Sequence, residues 1–502
     1  MELIKRALAR AFTRFEAVFE YAFGQSNTPF AWLGALGWYF YWIVAATGIY
    51  LYIFFDTGIT DAYASVEYMT HDQWYAAGVM RSLHRYASDA LGVVVVLHIF
   101  REFAFDRLRG RRFFAWLTGV PLLAFIYLCG ISGYWLVWDQ LAQYIAVATT
   151  EWLDTLPLFG EPIANNFLNS MTLGGRFFTL MVFIHIFGPL FMLLLMWVHI
   201  QRHSQAKVNP PRPLAIGTLA VLVVLSLVFP AISQGPADLD VVPTELGFDW
   251  FYLAVYPLLD VVPGGQLWLY LFAGFLVLAL LPWMPPARRV PAAAVNLDNC
   301  NGCTRCFDDC PFGAISMVPR SDGRAYDSEP IVNANQCTSC GICAGACPTS
   351  MPFRRSGPLQ AGIELPHRSI AKLREELLEG AQEARVLVFA CDTCDTTELG
   401  RGGAKVIRLP CVGMLPPSFV DFALARHHAA GVMIAGCAEG DCHHRLGNEW
   451  TIGRMARRRD PYLRQRVDER RLCLSWLPQG SARRRQRALA EFQVALAEID
   501  DE

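Results

Sequence analysis

Of the 15 cysteines in this 502-residue chain, only Cys129 precedes residue 300, and the rest fall into groups. Cys300, Cys303, Cys306 and Cys310 stand in CNGCTRCFDDCP, and Cys337, Cys340, Cys343 and Cys347 repeat the pattern in CTSCGICAGACP. This is the C-x2-C-x2-C-x3-C-P run, in which three thiolates of one loop grip a cubane while the fourth crosses to the other cluster. Cys300, Cys303 and Cys306 with Cys347 are therefore expected to hold one [4Fe–4S] cluster, and Cys337, Cys340 and Cys343 with Cys310 a second. Zinc also takes CxxC pairs, but a duplicated run ending in Cys-Pro points to iron–sulfur chemistry. Five more thiols follow: Cys391 and Cys394 (ACDTC), Cys411 (LPCVGML), and Cys437 and Cys442 (GCAEGDCHH). Each comes just after a strand-like run, so their loops can meet at one edge of a sheet. Five thiolates suit one small iron–sulfur cluster with one to spare, with zinc as the alternative. Cys129 and Cys473 read as apolar packing.

Histidines form the second pattern. His84 and His98 are fourteen residues apart, and so are His185 and His199. Fourteen residues is close to four helical turns, so each pair shares one helix face with ~21 Å between its members. Two such helices facing each other supply two bis-histidine haem sites at different depths. Glycine repeats the interval at Gly34 and Gly48, and again at Gly119 and Gly133. A missing side chain at each level leaves clearance for a flat macrocycle. Arg81, three residues before His84, is a candidate partner for a haem propionate or an interfacial anchor.

The elements that carry these residues are apolar. Mean hydropathy is +0.28, and 54% of residues are hydrophobic, values expected of a membrane protein. Six stretches near 30–54, 78–104, 113–136, 175–201, 213–231 and 266–284 approach the ~20 residues a spanning helix needs. Basic residues follow the second (Arg107, Arg109, Arg111, Arg112), the fourth (Arg202, Lys207, Arg212) and the sixth (Arg288, Arg289). Segments 55–74, 137–175 and 232–265 have no Lys or Arg. The positive-inside rule then puts both termini and the cysteine-rich half in the cytoplasm. A c-type haem attachment at Cys437–Cys442–His443 would need the opposite side. A net charge of −2 gives no sign of nucleic-acid binding. Residues 1–24 read as an amphipathic helix on the membrane surface. Beyond 385, VLVFA, KVIRLP and VMIAG alternate with a helical SFVDFALARHHAA, the order of a small α/β domain with a parallel sheet. The tail 479–502 reads as a further helix whose arginine run faces solvent.

Residues 25–287 resemble cytochrome b of the bc1 and b6f complexes. HRYASDALGVVVVLH, HIFGPLFMLLLMWVH, the glycine pairs and GYWLVWDQ, similar to that family's GYxLPWGQ, carry the resemblance. It implies that His84 with His185 binds an outer-side haem b and His98 with His199 a cytoplasmic-side one. The family's PEWY appears as FDWFY, with Asp249 in place of the Glu as candidate proton acceptor from quinol. Residues 295–355 resemble bacterial two-cluster ferredoxins. Residues 385–478 are similar to the delta subunit of methyl-viologen-reducing hydrogenases, through FACxxC, the isolated Cys and GCxxGDCHH. That likeness implies one [2Fe–2S] cluster and a flavoprotein partner of heterodisulfide reductase type.

The expected architecture is thus multi-domain: a transmembrane α-helical bundle, a 2[4Fe–4S] ferredoxin-like domain, then a small α/β iron–sulfur domain. Its expected function is a quinone-linked oxidoreductase subunit in the inner membrane, wiring quinone through two haems and three clusters to a cytoplasmic flavoprotein. A homodimer follows by analogy with cytochrome b. The alternatives are a bc1-like quinol-oxidising core and a non-catalytic haem-bearing anchor. His203 fits either the basic rim or a quinone contact near the inner haem. No GxGxxG follows a strand, so no nucleotide or flavin is expected in this chain.

Overall fold

The computed structural model describes residues 2–24, 27–108, 112–157, 175–201, 208–284, 290–354, 359–478 and 481–501. Arg109, Arg111, Arg202, His203, Lys207, Arg288 and Arg289 lie outside the described residues. Helices of eight or more residues and all strands are numbered here in chain order. Two compact units emerge. One combines Met1–Ala31, which contains α1 (Glu2–Phe23), with Ala104–Arg112 and Pro285–Glu502; the other holds Trp32–Phe103 and Phe113–Met284.

The second unit is helical: α2 (Leu33–Phe54), α3 (Asp61–His71), α4 (Val79–Ala104), α5 (Phe113–Val137), α6 (Gln140–Asp154), α7 (Gly175–Gln201), α8 (Arg212–Val228) and α9 (Gly264–Leu280). Segments Pro29–Phe54, Phe113–Val137, Phe178–Gln201 and Gly264–Trp283 are long and apolar enough to cross a bilayer. The remaining two of the six expected stretches are helices as well, but α8 has 17 residues and α4 is interrupted by charge. Large apolar side chains such as Ile49, Phe183, Leu190, Ile216 and Leu269 are exposed, as on a surface that meets lipid rather than water. α3 and α6, which lie between the apolar stretches, were not anticipated. α6 begins at Asp139, whose carboxylate accepts the Ala142 N–H at 2.9 Å and that of Gln234 at 2.8 Å, an N-cap tied to a distant loop.

In the first unit, β1 (Ala294–Val295) pairs antiparallel with β4 (Ile363–Glu364), and β2 (Ile315–Pro319) with β3 (Ser328–Val332). After α10 (Ile370–Glu383) comes a parallel sheet of order β6-β5-β7-β8, from β5 (Val386–Cys391), β6 (Ala404–Leu409), β7 (Gly431–Gly436) and β8 (Leu472–Trp476). α11 (Pro417–Ala425) and α12 (Gly447–Met455) connect its later strands, and α13 (Ala482–Asp501) closes the chain. Every residue of β5 and β7 is buried, as continuous apolar runs in a sheet covered on both faces must be. LCLSW, read from sequence only as packing around Cys473, is the fourth strand. α13 buries Leu489, Phe492 and Leu496. Arg483, Arg484 and Arg487 of its arginine run are exposed as expected, but Arg485 is fully buried.

Cys306, Ile315 and Ile363 of the ferredoxin-like segment share one core with Leu387, Phe389 and Ile434 of the sheet. A buried ion cluster reinforces the junction. Asp309, beside cluster cysteine Cys310, meets Arg454 from α12 and also Arg459. The Arg454 guanidinium donates to the Gly413 carbonyl at 2.8 Å, and Trp450 Nε1 donates to the Asp309 carbonyl at 3.3 Å. Removing one partner of such a group leaves an uncompensated buried charge, which costs about 3–5 kcal/mol. Asp309→Ala should therefore destabilise this unit by roughly that much in thermal unfolding, and the added change Arg454→Met should restore part of it. Equal stability of single and double variants would show that the pair is not the fastener.

Candidate functional site

Each of the four histidines meets one of the four glycines. A Cβ on Gly48 would lie 3.0 Å from His84 Cε1, and one on Gly133 3.0 Å from His185 Cε1. The same construction puts Gly34 3.5 Å from His98 Cε1 and Gly119 3.5 Å from His199 Cε1. Helix α2 thus clears the two imidazoles of α4, and α5 clears those of α7. Nδ1 of each ring has a fixed partner in three cases: Thr47 Oγ1 at 3.1 Å and the Val44 carbonyl at 3.0 Å for His84, Ser132 Oγ at 3.0 Å for His185, and Thr118 Oγ1 at 3.0 Å for His199. A carbonyl only accepts, so at His84 the proton sits on Nδ1 and Nε2 keeps its lone pair for a metal. The hydroxyl residue immediately precedes the glycine each time (Thr47–Gly48, Thr118–Gly119, Ser132–Gly133), a signal the sequence analysis missed.

The His84 and His185 ring centroids are 6.4 Å apart. An iron bonded to both, about 2 Å from each nitrogen with each ring centre roughly 1 Å beyond, requires about 6 Å. The spacing and the free Nε2 atoms fit a bis-histidine haem. His98 is near enough to His199 for the two rings to interact electrostatically.

Arg81 is held by Thr70, by Ser233 Oγ at 2.9 Å and by Glu67 at 3.8 Å. Asp249 is buried and bridged to Arg85, which also pairs with Asp89 at 3.0 Å and lies over the Tyr134 ring at 4.7 Å. Its carboxylate accepts the N–H of Phe251 at 2.7 Å and that of Tyr252. Burial pushes its pKa up, but Arg85 and the two N–H donors outweigh that and hold it below the usual range. Phe251 and Tyr252 of FDWFY pack onto Gly92, and Tyr252 onto Gly130, where a Cβ would collide with them.

In the other unit, Cys300, Cys303, Cys306 and Cys347 line one cavity together with Gly302 and Ile363. Cys310, Cys337, Cys340 and Cys343 line another, with Phe312 and Ile342. Gly302 has φ +66°, and a Cβ there would strike the Ser328 carbonyl at 2.6 Å; only glycine lets the first cysteine loop turn. Cavities walled by four sulfurs and apolar side chains fit [4Fe–4S] cubanes. Burial pushes the Cys306 and Cys340 thiols up to about 12, a cost that bound iron removes by taking them as thiolates.

The five late cysteines all converge. Cys391, Cys394 and Cys437 have their sulfurs within 4.8 Å of one another. Cys411 bonds to both Cys391 and Cys442, and Cys442 bonds to Cys437. Hydrogen bonds from Cys391, Cys394 and Cys442 hold the Cys437 thiol well below its ordinary range. Buried sulfurs gathered from several loops fit a bound metal centre. Ile342, Phe312 and Cys340 share an apolar cluster with Cys411, so this site adjoins the second cubane cavity. Within the same unit, Arg107 pairs with Asp441 at 2.5 Å and Arg112 donates to the His443 carbonyl at 2.9 Å, flanking Cys442.

The glycine contacts predict level-specific loss. Gly133→Val should abolish the haem of His84 and His185 while leaving the other, halving haem b per chain in a pyridine haemochrome assay. Loss of both haems from a folded chain, or of neither, would break the pairing.

Comparisons with known proteins give a structural neighbour and three family matches. A solved chain titled "Hyperthermophilic respiratory Complex III" is similar at 20% identity and TM-score 0.42, over 55% of this chain and 81% of that one. Residues 23–206 match the family Cytochrome b/b6/petB, residues 299–351 the 4Fe-4S dicluster domain, and residues 386–500 the delta subunit of methyl-viologen-reducing hydrogenase. The chain is a membrane electron-transfer subunit built, in this order, from a cytochrome b segment that implies haem b, a ferredoxin-type segment that implies [4Fe–4S] iron–sulfur clusters, and a hydrogenase delta-like segment.

Proposed function

We propose that this protein exchanges electrons between membrane quinone and a cytoplasmic flavoprotein of heterodisulfide reductase type. The observation that carries it is the pairing, on one chain, of the four-histidine helical unit with a second unit whose three sulfur-lined sites share one core. In this reading His84/His185 and His98/His199 hold two haems b, the eight ferredoxin-type cysteines two [4Fe–4S] clusters, and four of the five late cysteines one [2Fe–2S]. When bound, these groups supply one-electron chemistry; the chain's own residues fix their ligands and exclude water. The iron content is then about twelve atoms per chain, with no zinc.

The interleaving of segments supports a cytoplasmic placement. Residues 1–31, 104–112 and 285–502 fold as one unit, and no bilayer passes through a folded core. They therefore share one side, and the arginines of 104–112 make it the inner one. A homodimer belongs to the same reading.

Asp249 accepts a proton from quinol here only after releasing Arg85. Its depressed pKa means the bridge exists above its unfolded pKa of about 4 and is lost only as pH falls through the lower folded value. Across roughly pH 6–8 quinone turnover should therefore not titrate on Asp249. The favoured direction is quinone reduction by low-potential electrons, because ferredoxin-type clusters lie at low potential. The experiment reduces the clusters of the full chain in quinone-containing vesicles and follows haem b and quinone. Asp249→Asn should slow quinone turnover at least tenfold and leave haem reduction fast. Unchanged turnover would move the quinone site to the His98/His199 level, and the absence of haem reduction would refute the link between the units.

A further inference from the structure

Arg485 is a buried cation reached by none of the roles above. It is 0% exposed, although it sits in a run of otherwise solvated arginines on α13. Its Nη2 points at Cys394 Sγ, 3.6 Å away. The same group is steered by the carbonyls of Leu477 at 2.5 Å and Pro478 at 2.8 Å, and Nη1 by that of Asp395 at 3.5 Å. Carbonyl oxygens orient a guanidinium but bring no net charge. The nearby Glu20 carboxylate, which feels Arg485, is bridged to Arg484. A thiolate-ligated cluster is anionic, so a buried guanidinium donating to one of its sulfurs is attracted to it.

We infer that Arg485 is the counter-charge of the small cluster, donating to the Cys394 sulfur and favouring the reduced state. This rests on the proposed [2Fe–2S] at the five-cysteine site. Reduction adds one electron and one negative charge to the cluster, so a fixed cation beside a ligand sulfur stabilises the reduced form more than the oxidised one. Arg485 is a positioning residue in this sense: it acts through Cys394 and touches no substrate. α13 delivers it, because Leu489, Phe492 and Leu496 lock that helix to the sheet.

The test is a dithionite titration of the full-length, cluster-loaded protein followed by electron paramagnetic resonance. Arg485→Gln should make reduction of the two-iron centre about tenfold less favourable, a fall of about 59 mV for a one-electron couple, with both haems and both cubanes unmoved. A wild-type potential in Arg485→Gln overturns the inference. If that variant fails to hold the cluster, Arg485→Lys decides, since it keeps the charge but not the planar fork. Retention of the cluster by Arg485→Lys at a near-wild-type potential shows that the charge is what is needed and supports the role; loss of the cluster here too, or retention with reduction about tenfold less favourable, assigns Arg485 to structure alone. A wild-type protein with zinc and no two-iron signal removes the [2Fe–2S] reading itself, and the inference with it.

Discussion

A helix that passes close to an imidazole leaves space for little beyond a glycine, tightly at His84 and His185 and in ordinary contact at His98 and His199, four turns away. That constraint organises the membrane unit. Because the α-helix nearly repeats after fourteen residues, the histidines of α4 and α7 and the glycines of α2 and α5 keep register at both levels, although Pro121 lies within α5 and Pro189 within α7. The hydroxyl before three of the glycines then uses the same closeness to fix Nδ1 of the ring. Packing and ligand orientation are two results of one spacing.

The iron–sulfur unit solves a different problem, the burial of charge and sulfur away from water. Asp309 is next to Cys310 and anchors two arginines; Arg485 lies beside Cys394. Arg454 also donates to the Gly413 carbonyl, near Cys411, and Arg485 to that of Asp395, next to Cys394. Charge compensation and loop positioning are thereby the same set of contacts, and the ferredoxin-like and α/β segments share a core instead of merely touching.

Candidate ligand residues stood out in the sequence because the chemistry they suggest demands fixed spacing: C-x2-C-x2-C-x3-C-P for cubanes, fourteen residues for stacked haems. Helix existence was legible from apolar length, and β5, β6 and β7 from their short apolar runs. β8 was not, since an edge strand needs only five residues and LCLSW has no period to reveal it. α3 and α6 are short and amphipathic, so hydropathy passes over them. Arg485 was hidden because one buried residue in a run of arginines depends on the rotation of α13, which tertiary packing sets. Asp249 was seen as a position but not as a bridge, because Arg85 is distant in sequence.

The interleaving of the chain also bears on how the molecule is made. α1 is translated before the helical unit, yet its Glu20 finds its partner on Arg484 of α13, translated after it. In between, the whole helical unit has to enter the bilayer. Residues 104–112 likewise wait for Asp441 and His443. The iron–sulfur unit therefore cannot close during synthesis. Its sulfur pockets stay open until α13 is made, leaving an interval in which iron–sulfur assembly factors can load the cysteine loops before that helix seals the sheet.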